Sequence, residues 1–554
     1  QILADAKSLS ERQAAFVQAE RLSQDDPDAS AQVAKILIQR PDAKLPNGVE
    51  WMRERQANAD PQASNIDWQF ALADVLIAGN DPAGATATLA PYTKSRQSLT
   101  NAQNSRLGGL QVDSFLGRGE MAEAAGDHAQ AFQWFAQASE FEGRPVGNPN
   151  ALSVEVEFAK TATERALTRN QKRLDGYVHT GLIYREKSGT DGISTTRVTE
   201  IPTEIYWPIG YRGHFIGHID QVSIDAGTLP TNLRDQAQFG QVLAKSPTGI
   251  TPVSQSADGI ALGVGFETDN YRFDLGTTPL GFAVTSWVGG LRYSDADATH
   301  YKSMELFRRP VQSSLLSYAG TRDPASGRVW GGVVRTGASF RFSNSVNGRT
   351  RAIGGRAAVL TGTSVATNEE LRLSVSQSHD VIDRRDTQVN AGLGLTYWHF
   401  TKDLSEFSFG HGGYYSPQQY LSLDFPVRWT GRWKDYAYLL EPSVGLSWAT
   451  SKDSPYHPSD AALQALAVAN ASANPILPNP IYAGGGGGVS MSYSLQGALE
   501  KRVAPNWFIG TGFRIDRAEF YSPNVLQLYL RYEIKPKRGL VEYPPRLLRT
   551  YADF

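Results

Sequence analysis

The chain has 554 residues and a formal net charge of −2, which is length enough for more than one domain and argues against a general nucleic-acid binder. It has no cysteine, which excludes disulfides, thiolate catalysis and cysteine-ligated zinc and fits an oxidising compartment. There is no run of about 18 apolar residues and so no transmembrane helix, but a transmembrane barrel is not excluded, because half of each of its strands is polar.

The first third of the sequence carries helical periodicity. Two segments resemble each other: Trp68 through Asp81 to Ala85 and Leu89, and Phe115 through Gly119, Ala122 and Asp127 to Ala131, Phe135 and Ala138. Each predicts a helix, a turn with Gly and Asp, and a second helix in which a large residue follows a small one by four. This resembles the tetratricopeptide repeat, in which small residues let paired helices approach and large ones fill the gaps between pairs. Residues 91–114 fit one further helix, and Ser30–Gln39 and Val49–Asn58 a poorer copy. A generic helical bundle is the plainer alternative. Gln1 opens inside a helical pattern with no signal peptide before it, so a fragment or processed form of a longer chain is expected. The repeats are placed at 1–150. A linker helix is placed at 151–172, with Val154, Phe158, Ala162 and Leu167 on one side.

From about 173 to 534 the period changes to two. Leu421, Leu423, Phe425, Val427 and Trp429 alternate with Ser422, Asp424 and Arg428; Leu526, Leu528, Leu530, Tyr532 and Ile534 alternate with Gln527, Tyr529, Arg531 and Glu533. Side chains alternate faces along a strand. Such strands suit a barrel with lipid outside and water inside, and equally a soluble sandwich with a packed core. Seventeen candidate strands can be marked, and a bacterial barrel needs an even number. Counting from both ends with short turns on one side and long loops on the other removes 404–411. Its sequence runs into the glycine-rich Phe409 to Pro417, which is poor strand material. The expected fold is α+β multidomain: a tetratricopeptide-type α-solenoid, then a 16-stranded antiparallel transmembrane β-barrel. Trp207, Trp429, Trp433 and Trp507 fall at one set of strand ends and Trp398 and Trp448 at the other, as two aromatic girdles.

Several stretches of the barrel carry a resemblance. They are Gly276 to Phe282, Arg309-Pro310-Val311, Ser313 to Gly320, Asp323-Pro324, Gly327, Trp330 to Val333, and Gly410-His411-Gly412-Gly413-Tyr414-Tyr415-Ser416-Pro417. Together they resemble the outer-membrane component of bacterial cellulose synthase, a family with tetratricopeptide repeats ahead of a C-terminal export barrel. The resemblance implies an outer-membrane channel for nascent β-1,4-glucan. It also implies periplasmic repeats that reach towards periplasmic or inner-membrane synthase components. Cellulose and outer-membrane lipid are then the expected partners, with no nucleic acid and no cofactor.

A conduit for a neutral, hydroxyl-rich polymer should offer exchangeable hydrogen bonds and aromatic faces. Strand parity places Ser422, Asp424, Arg428, Glu441, Arg514, Asp516, Gln527, Tyr529, Arg531 and Glu533 in the lumen. The plainer reading is that these charges pair with one another and solvate the bore. Their balance of Arg against Asp and Glu favours a neutral cargo over a uronate one. The loops 310–330 and 401–418 are candidate gates, with Trp330, Gly410, His411, Gly412, Gly413, Tyr414 and Tyr415 as their working residues. His411 has no second ligand nearby and reads as a hydrogen-bonding loop residue; no metal site and no catalytic constellation is expected. The long 450–488 loop is expected to be mobile. In the tail, 535–554, Pro536, Pro544 and Pro545 prevent another strand. It either stays disordered, re-enters the barrel, or binds a periplasmic partner.

Overall fold

A computed structural model describes residues 2–6, 8–59, 65–142, 161–297, 299–517, 523–537 and 540–554. The chain divides into two compact units, Gln1–Leu174 and Asp175–Phe554.

The first unit is built from antiparallel helices: α1 (Leu9–Leu22), α2 (Pro27–Gln39), α3 (Gly48–Ala57), α4 (Asn65–Ala78), α5 (Pro82–Lys94), α6 (Asn101–Ala124), α7 (His128–Phe141) and α8 (Ala162–Lys172). The Asp of each Gly-Asp turn is a helix cap: Asp81 accepts from the Gly84 N–H and Asp127 from the Gln130 N–H. Phe135 is wholly buried against Gly119, where a Cβ would stand 2.2 Å from its ring. The small residue therefore makes the slot that the large one fills. One expectation fails. α6 runs unbroken across 114 and 115, so there is no separate helix over 91–114. The capping box of Thr100 with Gln103 starts the helix earlier than the repeat pattern suggests. Of the expected linker helix, 162–172 is α8, and 151–160, with Val154 and Phe158, lie outside the described residues.

In the second unit sixteen antiparallel strands close on themselves. They are β1 (Tyr177–Lys187), β2 (Thr196–Pro208), β3 (His214–Thr228), β4 (Ser254–Glu267), β5 (Tyr271–Thr277), β6 (Trp287–Ala296), β7 (His300–Pro310) and β8 (Val329–Val346). Then follow β9 (Arg349–Thr363), β10 (Asn368–Arg384), β11 (Thr387–Phe400), β12 (Gln419–Trp433), β13 (Tyr436–Thr450), β14 (Gly486–Ala504), β15 (Trp507–Arg517) and β16 (Asn524–Glu533). Each pairs with its sequence neighbour, and the ring shuts where Tyr177 of β1 meets Glu533 of β16 and Leu182 meets Leu528. Leu526, Leu528 and Leu530 are 50%, 52% and 37% exposed. They point away from the protein, which rejects the soluble sandwich and gives the barrel a hydrocarbon-facing exterior. Residues 404–411 are loop, with isolated bridges from Ser408 to Gly240 and between Phe409 and His411.

The short turns, such as 434–435 and 505–506, lie at the end where the chain enters β1; the long loops lie at the other. Trp207, Trp429, Trp433 and Trp507 are 40–63% exposed on the outer surface near the short-turn end. Trp398 departs from the girdle expectation. Leu393 and Leu395 of β11 face outward, so the even positions, Trp398 among them, face the lumen.

Candidate functional site: the lumen, its tail and its cap

The tail re-enters the barrel. Lys537 meets Asp175 at 2.5 Å, and Arg502 donates to the Lys537 carbonyl. Arg432 donates to the Val541 carbonyl at 3.3 Å and its guanidinium lies 5.2 Å from the Tyr543 ring centre. The chain then climbs the wall of β1 to β5. Arg546 stacks on Tyr177, and the Leu548 N–H donates to Gln527 at 2.9 Å. Arg549 reaches Glu204 at 3.3 Å. At the top Tyr551 donates its N–H to Asp220 and its hydroxyl to Asp274, while Phe554 packs on Arg272 and His218. The seat of Tyr551 is cut by two glycines facing each other across β4 and β5. A Cβ on Gly263 or Gly276 would lie 2.5 or 2.4 Å from its ring. Of the tail residues, 538 and 539 lie outside the described set.

The tail splits the ten luminal candidates in two. Tyr529, Arg531 and Glu533 are buried, and Gln527 is the acceptor for Leu548. Arg531 pairs with Glu500 at 2.6 Å and with Glu533, and lies over Phe508. Ser422, Asp424, Arg428, Glu441, Arg514 and Asp516 share no hydrogen bond or ion pair with the tail among the described residues. They pair among themselves: Arg428 with Glu441 at 3.5 Å, Arg514 with Asp516 at 2.8 Å, Ser422 with Asp424 at 3.0 Å. Around them strand parity lines β9 to β14 with small hydroxylated residues and glycines: Ser374, Ser376, Gly394, Thr396, Ser443, Ser447, Ser490 and Ser492. One half of the lumen is thus filled by the tail, and the other is lined by hydroxyls and glycines, with Arg335, Arg356 and Arg372 gathered about Glu370 towards its outer end.

Near the outer end of this open half stands a cluster that the girdle reading missed. The Trp398 indole donates to Glu370 at 2.8 Å, Arg372 lies over its ring, and Tyr415 and Tyr420 meet it edge-on at 6.1 and 6.2 Å. All three aromatics are half-buried. The parity of β11 is the sequence signal that finds it.

Four loops build a cap at the outer end. They carry α9 (Leu233–Gln236) and α10 (Val242–Lys245), α11 (Leu315–Ala319), the glycine-rich 401–418, and α12 (Ala461–Ala473). Their apolar side chains form one core around Trp330, Phe239, Phe409, Tyr456, Leu463 and Leu477. Gly240 donates to the Phe407 carbonyl at 3.0 Å and accepts from Phe409 at 2.9 Å. These residues belong to the β3–β4 and β11–β12 loops, eight strands apart in a ring of sixteen. The cap therefore bridges the mouth from opposite sides.

Trp330 and His411 are fully buried, Tyr414 nearly so, and Tyr415 half-buried. Gly410 and Gly413 hold φ of +108° and +65°, which favour glycine. The His411 Nε2–H donates to the Pro455 carbonyl at 3.0 Å, and burial pushes its imidazole down to about 4. Among the described residues no group of three or more His, Asp or Glu converges as a metal site. The 450–488 loop is packed into the cap by Tyr456, Leu463, Ala467 and Leu477, and Gly486 to Gly488 begin β14. The expectation of a loose loop fails because its alternation is too sparse to reveal α12. Half-buried Glu406 is pushed up to about 7 by burial and by neighbouring Asp403.

A family profile described as Cellulose synthase operon protein C C-terminus matches residues 194–535. "Cellulose synthase operon protein C" of Escherichia coli (strain K12) is 28% identical over 97% of this chain and 50% of its own length. The protein of the same name from Salmonella typhimurium is 33% identical over 67% of this chain and 31% of its own. That from Xanthomonas axonopodis pv. citri is 35% identical over 58% and 22%. The chain spans about half or less of the length of these relatives. Among solved structures, a "Bacterial polysaccharide outer membrane secretin" aligns over 64% of this chain and 97% of its own at 12% identity, with a TM-score of 0.40. The barrel is an outer-membrane one, and its short-turn end, where the repeats join the chain, is periplasmic. The chain belongs to the family of the Cellulose synthase operon protein C C-terminus, the match running over most of the barrel, from 194 to 535.

Proposed function

We propose that the chain is an outer-membrane exit channel for nascent cellulose, with its repeats serving as a periplasmic scaffold towards the synthase components. The observation that carries this reading is the division of the lumen. The open half presents serine and threonine hydroxyls, which exchange hydrogen bonds with sugar hydroxyls at little net cost. Arg428 with Glu441 and Arg514 with Asp516 are opposite charges that cancel locally, so these pairs hold little fixed field against a neutral chain. Trp398, Tyr415 and Tyr420 supply stacking faces near the exit. Weak, repeated contacts of this kind let a polymer slide, whereas one tight site would stall it. The family and the fold point to a channel rather than an enzyme.

The test is single-channel conductance in planar bilayers with cello-oligosaccharides added on the periplasmic side. Brief blockades that lengthen with oligomer length, and shorten in Trp398→Ala, are expected. Oligouronates should block less than cello-oligosaccharides of equal length. Current untouched by cello-oligosaccharides, or hydrolysis of them by the purified protein, would overturn the reading.

A further inference from the structure

The outer face of β6 to β10 departs from a plain lipid-facing wall. Its cross-strand rows can be read from the register. Past the row of Val346, Arg349 and His379 at the periplasmic turns, one row holds His300, Asn344, Arg351 and Gln377; the next holds Asp295, Lys302, Phe342, Ile353 and Val375. Further in come Met304, Phe340, Gly355 and Leu373, then Leu306, Ala338, Ala357 and Leu371. The small side chains of Ala338 and Ala357 fall together among larger neighbours and cut a notch in the wall, and the Phe340 ring lies over Gly355 at its edge. A groove of about 880 Å³ lies at the polar rows, and one of about 480 Å³ lies at the notch on the adjoining rows.

The groove is polar at one end only, and there it carries both signs. Arg351 bonds through Nε to Gln377 at 3.2 Å and pairs with no carboxylate among the described residues. Lys302 stands beside Asp295 at 3.0 Å. Asp297, at the turn, is held ionised by the N–H groups of Thr299 and His300. An apolar channel with a cation and carboxylates at its mouth fits a molecule with two long chains, a phosphate and an ammonium.

We propose that this groove is a specific site for an aminophospholipid of the phosphatidylethanolamine class in the periplasmic leaflet. The acyl chains lie along Phe342, Ile353 and Met304 into the notch. The phosphate meets Arg351 and Lys302, and the ammonium meets Asp295 and Asp297. A lipid with a neutral glycerol headgroup satisfies the first pair only. The site is independent of what passes through the lumen.

Native mass spectrometry of the detergent-purified full chain, delipidated and then offered phosphatidylethanolamine or phosphatidylglycerol at equal concentration, tests this. Folding of each variant is checked by its heat-modifiable gel mobility. The wild type should retain phosphatidylethanolamine at least fivefold over phosphatidylglycerol. Arg351→Gln should lower retention of both about tenfold. Ala357→Phe, which fills the notch without touching the headgroup seat, should also lower both. Asp295→Asn should lower phosphatidylethanolamine alone. Equal retention of the two lipids, undiminished retention in folded Arg351→Gln and Ala357→Phe, or dimers in place of lipid adducts would overturn the proposal.

Discussion

Tyr551 is held as much by what its neighbours lack as by what they offer. Its ring occupies volume that any Cβ on Gly263 or Gly276 would take. Gly263→Val should therefore unseat the end of the tail while leaving the β4 ladder intact, since the atoms nearest its Cβ position all belong to the Tyr551 ring and valine is at home in a strand. Tyr551→Phe removes only the hydroxyl, with its bond to Asp274 and its long contact to the Val288 carbonyl, about 1 kcal/mol, and should leave the tail seated. Protease sensitivity of the tail in the folded barrel distinguishes the two. The cap has its own residue-scale signature. Glu406 has a folded value near 7, above the ordinary 4.5, so folding takes up a proton. The cap is then most stable at low pH and weakens as pH climbs through about 7. His411, lowered from 6.5 to about 4, acts in the opposite sense and only on the acid side of 6.5. Between pH 6.5 and 8 the wild-type cap should become more sensitive to proteolysis, and Glu406→Gln should flatten that change. None of this is legible in a single sequence. A half-buried carboxyl and an exposed one are spelled alike, and Trp398 reads as a girdle residue from its place near a strand end, although the parity of its own strand turns it inward.

At the scale of elements, alternation is the most legible signal and the tail the least. The barrel strands announce themselves because each must satisfy two solvents at once, lipid and water. The tail has no period; its three prolines say what it cannot be, and its route is set by contacts with residues more than three hundred positions away, such as Asp220. The same reason hides α12, whose burial depends on loops from β3–β4 and β11–β12. Re-entry of the tail is one of three alternatives in the sequence, and the structure selects it. Because sixteen strands close without the tail, deletion of 541–554 should leave a heat-modifiable barrel. The carboxylates it covers, Glu204, Asp220 and Asp274, would then face lumen water, not lipid, and the conductance should rise and turn towards cations. A deletion variant with unchanged conductance and selectivity would show that the tail does not narrow the path.

At the scale of the whole molecule, a sixteen-stranded ring is wide enough for an aqueous channel, yet this one is narrowed twice. The tail occupies one half of the lumen from the periplasmic side up to Arg185 and the start of the β7–β8 loop, and the cap bridges the outer mouth. Two constrictions along one path add as resistances in series, so removing either leaves the other in control. The cap can be loosened at its centre. Trp330→Ala empties the space among Phe239, Phe409 and Leu316, at a cost of roughly 3–5 kcal/mol for a buried aromatic. The deletion of 541–554 alone, or Trp330→Ala alone, should therefore raise single-channel conductance modestly, and the two together by more than the sum of the separate gains. If the tail deletion by itself gave the full conductance of the pair, the cap would be no barrier and the exit would already be open beneath it. If Trp330→Ala did so, the tail would be wall lining rather than constriction.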